Sequence, residues 1–303
     1  MSLKIIDAHS HLWLTQDTEV DGMPVRSLKN GRSLFFGQEV QMLPPFIVDS
    51  RNTAEIFLSN MDYAQVSAAV VVQEFIDGVQ NDYLADVKAG YPDRFKVCAM
   101  FDFRRQGFLP EAKALISDGP YDGVAIPGHR LARPLNDKEM MKMFALMEEK
   151  GLFLSLCLHE DCHQISEAED IITHFPQLRI AVGHFGMVTT PGWMKQISLA
   201  RHDNVRIECG GITWLFNGEF YPFDGAVRAI RQAADKVGME KLMWGSDYPR
   251  TITAITYRMS YDFILKSELL SQTEKELFLG RNAAEFYKFK SLAELPYIKN
   301  MSE

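Results

Sequence analysis

Short, nearly unbroken apolar runs alternate with amphipathic stretches from one end of the chain to the other. Eight of these runs read as strands: KIIDAH (4–9), SAAVVVQ (67–73), RFKVCAMFDF (94–103), DGVAIPG (122–128), LFLSLCLHE (152–160), LRIAVGHFG (178–186), NVRIECGG (204–211) and KLMWGSD (241–247). Continuous apolar runs of this length are typical of parallel strands covered on both faces. Helical periodicity lies between them, at residues 53–66, 81–91, 136–151 and 224–238, with two further helices expected at about 255–268 and 272–280. In the third of these, Met140, Phe144 and Met147 fall on one stripe. Asn136 and Glu139 have the spacing of a capping box, and Gly151 is placed to end the helix. Eight such units predict a (β/α)8 TIM barrel, occupying residues 1–303 as a single domain. An open doubly wound sheet is the alternative, but no glycine-rich phosphate loop follows any strand. Residues Thr15 to Asp49 interrupt the alternation as one long stretch rich in Gly, Pro and charge, expected as an irregular loop insertion after strand 1 that serves as a lid or substrate-binding element.

Composition changes the picture little. The chain has 303 residues, 47% hydrophobic and 24% charged, the values of an ordinary soluble globular protein. Forty acidic residues against 32 Lys and Arg give a net charge of −8, which argues against a nucleic-acid partner. No leader-like segment or long apolar stretch suggests a membrane, so a cytoplasmic location is expected. Of the four cysteines, Cys98, Cys157 and Cys209 sit in apolar runs and Cys162 in a loop, without paired spacing, and reduced thiols are expected.

The chemistry is expected where barrels carry it, at the C-terminal ends of strands. His9 and His11 project from the same face of the first strand, and two imidazoles side by side form half of a metal site. His159 ends the fifth strand, His184 the sixth and Asp247 the eighth. His9, His11, His159 and Asp247 together suit one divalent ion, zinc first, with manganese or iron as alternatives, and His184 stands beside them as an acid or base. Taken singly, His159 reads equally as a surface histidine, His184 as a core histidine and Asp247 as a helix cap; their joint placement favours a site. Trp13, Arg130, Arg133, Trp214, Tyr248 and Arg250, with Gln73 and Phe185, are candidates to contact substrate, the arginines implying an anion.

KIIDAHSHLW, LHED, VGHFG, MWGSDYPR and the closing GRNAAEFYKF resemble the amidohydrolase superfamily, closest to its "amidohydrolase 2" branch, over about Leu3 to Phe289. That branch contains aminocarboxymuconate semialdehyde decarboxylase, resorcylate-type decarboxylases, hydratases and lactonases. The resemblance implies that His9, His11 and His159 ligate metal and that His184 and Asp247 match the strand-six histidine and strand-eight aspartate. Binuclear members carry a carboxylated lysine after strand four; GVAIPGHR has none here, so one metal is expected. The segment VVVQEFIDGVQNDYL is similar to the lactonase side, so a hydrolase of a lactone or ester of a small organic acid or sugar is expected. Non-oxidative decarboxylation of an aromatic or muconate-type acid is the alternative within enzymes, and a catalytically silent ligand-binding barrel the alternative outside them. Pairing as a homodimer follows only from the family analogy.

Overall fold

A computed structural model of the protein describes residues 3–160 and 163–301. Cys162 lies outside the described residues. The chain opens with β1 (Ile5–Ser10) and passes through β2 (Asp17–Val20), β3 (Met23–Ser27), β4 (Arg32–Phe35) and β5 (Gln38–Gln41) before α1 (Ala54–Tyr63). There follow β6 (Val66–Val71), α2 (Asn81–Gly90), β7 (Phe95–Ala99), α3 (Leu109–Asp118), β8 (Gly123–Pro127), α4 (Lys138–Lys150) and β9 (Phe153–Cys157). Then come α5 (Ile165–His174), β10 (Arg179–Val182), α6 (Trp193–Ile197), β11 (Val205–Glu208), α7 (Ile212–Leu215), α8 (Asp224–Val237) and β12 (Leu242–Met243). The chain ends through α9 (Met259–Lys266), α10 (Gln272–Glu276), a π-helical turn at Leu277–Arg281 and α11 (Asn282–Phe286).

All eight expected strands are present and run parallel in the order β1-β6-β7-β8-β9-β10-β11-β12. β12 stays in register with β11 for only two residues, then turns toward the first strand. Ala8 N donates to Trp244 O at 2.9 Å, Asp247 N to His9 O at 2.9 Å, and His11 N to Tyr248 O at 2.7 Å. These bonds close the sheet on itself, which is the expected (β/α)8 barrel and leaves no exposed strand edge.

The insertion is not an irregular loop. Residues 17–41 form a four-stranded antiparallel meander, β2-β3-β4-β5. Its turns fall at Asp21-Gly22, Asn30-Gly31 and Phe36-Gly37, every one of these residues having positive φ. Asp-Gly and Asn-Gly are hairpin signals, and they are legible in the sequence. Two ten-residue helices, α3 and α5, also lie where no helix was expected; each buries only two or three side chains, a stripe too short to stand out. The cap of α4 is Asp137, whose side chain accepts from Glu139 N and Met140 N, while Asn136 instead donates to Asp170 Oδ2 at 2.7 Å. Gly151 does end that helix, at φ 70°.

Asp7, fully buried in β1, ties the barrel seam together. Its Oδ1 accepts from His9 N at 3.1 Å and Ser246 N at 2.8 Å, and its Oδ2 from Ser246 Oγ at 2.5 Å and Tyr257 OH at 2.7 Å. Burial pushes the Asp7 carboxyl up to about 6, with the bonds from Ser246, Tyr257 and His9 opposing the rise. A carboxyl raised above its ordinary value favours the fold when protonated, so its contribution is full below pH 4 and is lost as pH rises through about 6. We expect Asp7→Asn, which cannot ionise, to escape that loss while giving up part of the four-donor clamp. The stability of the variant relative to wild type should therefore rise by on the order of 2–3 kcal/mol between pH 4 and pH 7. Denaturant melts at the two pH values check this, and a constant difference would contradict it.

Candidate metal centre and substrate cavity

At the C-terminal mouth of the barrel, three donor atoms converge. His9 Nε2 lies 3.1 Å from His11 Nε2 and 3.6 Å from Asp247 Oδ1, which is 3.3 Å from His11 Nε2. Ligands at about 2.0–2.1 Å around a tetrahedral zinc stand roughly 3.3 Å apart, so the triad has the edge lengths of one face of such a site. Alternation along β1 brings the two imidazoles to the same side, as expected, and the turn after β12 brings the carboxylate.

The far side of each ring is fixed by an acid. His9 Nδ1 lies 2.7 Å from Glu208 Oε1, and His11 Nδ1 lies 2.7 Å from Asp77 Oδ2. A carboxylate only accepts, so each Nδ1 carries a proton and, in the neutral ring, each Nε2 directs a lone pair inward. Two acceptors facing each other at 3.1 Å, with a carboxylate oxygen beside them, are uncompensated unless a cation or proton sits between them. The residues present thus fit a divalent ion.

Burial disfavours a charged His11, yet Asp77 and Asp247 outweigh it and hold its imidazole well above the ordinary range. For Asp247, burial works upward, but the bond with His11 and the neighbouring His184, His9 and His11 hold the carboxyl well below the usual range. Glu208 is likewise lowered against its burial, by His9, His184 and the Gly210 amide. Its space is carved by glycines: a Cβ on Gly183, Gly210 or Gly245 would come within 2.9 Å of a Glu208 oxygen, and on Gly210 or Gly245 also within 2.8 Å of a His9 side-chain carbon.

His184 lies on the other side of His9, ring centroids 4.7 Å apart, with Nδ1 donating to Gly210 O at 2.9 Å and Nε2 left for other partners. His159 lines the same cavity, half-buried, but does not join the group in which His9, His11 and Asp247 atoms lie within 4.8 Å of one another. The cavity holds about 460 Å3 and is lined by further residues including Trp13, Gln73, Arg130, Trp214 and Arg250, by Phe35 and Val40 of the meander, and by Met42 just after it. Trp214 Nε1 donates to Asp247 Oδ2 at 2.7 Å, and the Arg250 guanidinium stacks 3.7 Å from the Trp214 ring centroid.

Three expected contacts are elsewhere. Tyr248 is fully buried, stacked on Phe57 at 4.0 Å behind the cavity wall, because the closing strand turns its side chain into the helical layer. Arg133 serves the start of α4, pairing with Asp137 at 2.5 Å and Glu139 at 3.2 Å. Phe185 is buried against Trp193. Of the thiols, Cys98 and Cys209 are buried, whereas Cys157 is half-buried and borders the cavity, its thiol pushed up to about 12 by burial. Sequence reading missed Glu208, Asp77, Glu74 and His129, which also line or support the site. Glu208 ends β11 but falls inside the expected run 204–211, so nothing in the run marks its place at a strand end; Asp77 follows β6 on a short turn and carries no periodic signal.

The model of the amidohydrolase family matches residues 6–289. The chain belongs to that family. Among solved structures, this amidohydrolase is similar to a probable 2-pyrone-4,6-dicarboxylic acid hydrolase from Acinetobacter baumannii with citric acid bound, at 22% identity and TM-score 0.69, over 94% of this chain and 100% of that one. A zinc-bound amidohydrolase from Burkholderia multivorans matches at 17% identity and TM-score 0.69, over 94% and 99%. The 5-carboxyvanillate decarboxylase from Sphingomonas paucimobilis matches at 17% identity and TM-score 0.63, over 95% and 99%. No curated protein matches. Among the described residues of this amidohydrolase, no helix is long and apolar enough to cross a membrane.

The ring-locking acids yield a direct test. Glu208→Gln removes the charge that orients His9, and zinc affinity should fall about 10–100-fold. Competition against a chromogenic chelator measures this, with circular dichroism confirming the fold. Unchanged affinity would show that Glu208 does not set the His9 tautomer.

Proposed function

We propose that this amidohydrolase is a metal-dependent hydrolase of a lactone or ester of a small anionic molecule, holding one divalent ion, zinc first, on His9, His11 and Asp247. The observation that carries the reading is the pair of inward-facing Nε2 atoms 3.1 Å apart, each with its Nδ1 occupied by a carboxylate. His159, on the cavity wall, is proposed to complete the donor set. When bound, such an ion supplies Lewis acidity and lowers the pKa of water from 15.7 toward about 7.

The chain's own groups then divide the proton work. Asp247 accepts a proton at its carboxylate from water at the site, its second oxygen kept in place by the Trp214 N–H. His184 exchanges a proton at Nε2 with the substrate's carbonyl or leaving oxygen, its Nδ1–H anchored on the Gly210 carbonyl. Arg250, Arg130, Trp13 and Trp214 border the space in which the substrate is oriented. On this reading residues 1–303 act as one domain in the cytoplasm, and a homodimer is the assembly that family analogy implies. Decarboxylation is the second reading, supported by the same proton donors, Asp247 or His184, being placed to protonate carbon.

Sugar lactones and hydroxybenzoates offered to the metal-loaded protein separate the readings: acid release from lactones supports hydrolysis, carbon dioxide from hydroxybenzoates supports decarboxylation, and neither supports a silent barrel. His184→Asn should lower kcat about 10²–10⁴-fold with metal content retained, whereas His9→Ala should lose both. Wild-type turnover in His184→Asn would remove that residue from the mechanism.

A further inference from the structure

Two arginines border the cavity, and their surroundings differ. Arg130 follows β8 and Arg250 follows β12, four strands apart in a barrel of eight, so they stand on opposite sides of the mouth. Arg130 Nε lies 2.6 Å from Glu74 Oε1, both side chains being largely buried at 20% and 12% exposure. Arg250 is exposed, lies flat on Trp214 and has no acidic partner among the described residues. The third candidate, Arg133, is withdrawn into its own ion pairs.

The metal centre adds no positive charge to spare. Asp77, Glu208 and Asp247 surround its two imidazoles, and among the described residues no Lys or Arg is bonded to any of them, so a divalent ion leaves the cluster of three carboxylates net negative. A second anionic group deep in the cavity would meet that field, and among the described residues no Lys and no Arg other than Arg130 and Arg250 lines the cavity to offset it. Phe35 and Val40 of the meander, with Met42 just after it, add apolar wall to the cavity.

We propose that the cavity selects a substrate with a single carboxylate and an apolar body, gripped by Arg250, and that Glu74 is the specificity-determining residue because it masks Arg130. This rests on the cavity's being the substrate site of the proposed hydrolase and names its substrate class. Glu74 has a further constraint, accepting from Ile76 N at 3.3 Å while its own N–H donates to Asp77 Oδ2 at 3.1 Å. The same carboxylate therefore fixes the turn that holds His11 and cancels the second cation. Masking a guanidinium with a partner it cannot easily leave is a way to reject a doubly charged competitor.

Titration calorimetry of zinc-loaded protein with octanoate and with suberate, the same chain bearing a second carboxylate, tests this. Octanoate should bind at least tenfold more tightly than suberate, and Arg250→Met should weaken octanoate at least tenfold with zinc content unchanged. Glu74→Gln, which exposes Arg130, should bring suberate to parity with octanoate or better. Suberate binding as tightly as octanoate in the wild type, octanoate affinity unmoved by Arg250→Met, or no binding of either would overturn the proposal. Binding is read without turnover, so a failed hydrolysis screen alongside the expected affinities would overturn the reaction assignment and leave the charge selection standing.

Discussion

The pair of hydrogen bonds from His9 Nδ1 to Glu208 and from His11 Nδ1 to Asp77 is the constraint on which the site depends. An imidazole has two nitrogens of similar basicity, and without a partner either can carry the proton. Placing a buried acid behind each ring settles the tautomer and turns both lone pairs to one point. The arrangement costs the fold several buried charges, which stay affordable only while each is fully bonded. Glu208 meets that condition by accepting from His9, the Gly210 amide at 2.5 Å and the His184 amide at 3.2 Å. The glycines at 183, 210 and 245 are small for this reason: the acid and the ring occupy the volume a side chain would need.

The same locality explains why the ends of β10 and β12 are strained. His184 has φ 54° and Asp247 φ 58°, in a region that costs side-chain-bearing residues of order 1–3 kcal/mol. The backbone around Asp247 is held by Asp247 N on His9 O and by the Asp7 clamp on Ser246, and that around His184 by its amide on Glu208. These bonds offset the strain where it arises. A relaxed extended backbone would carry each side chain to the other face of its strand and away from the His9–His11 pair.

Much of this was legible in the chain. Unbroken apolar runs marked all eight barrel strands, because a strand buried on both faces needs apolar residues at every position. Polar residues at or just beyond their ends marked His9, His11, His184 and Asp247, because that is where barrels of this kind carry their chemistry. What stayed hidden depends on contacts between distant segments. Asp77 is 66 residues from His11 and Glu208 is 199 from His9, and no local pattern pairs them. Tyr248 shows the converse, since its place at a strand end suggested a substrate contact, but the turn of the closing strand leaves it fully buried.

The meander lines part of the barrel mouth. A barrel mouth with only short loops would leave the converging His9, His11 and Asp247 open to solvent, where water weakens every electrostatic interaction. Inserting β2 to β5 after β1 adds an apolar wall while keeping its own backbone satisfied, since each strand pairs within the meander. Its tip reaches the polar side as well: Arg130 lies 5.7 Å from the Phe36 ring, so the insertion packs on the guanidinium that Glu74 already holds. Arg130 is thereby confined from two directions, by charge and by an aromatic face, while Arg250 rests on Trp214 with no acidic partner among the described residues. The asymmetry between the two cations is thus built from three separate segments of the chain, which makes it a property of the whole mouth rather than of either arginine.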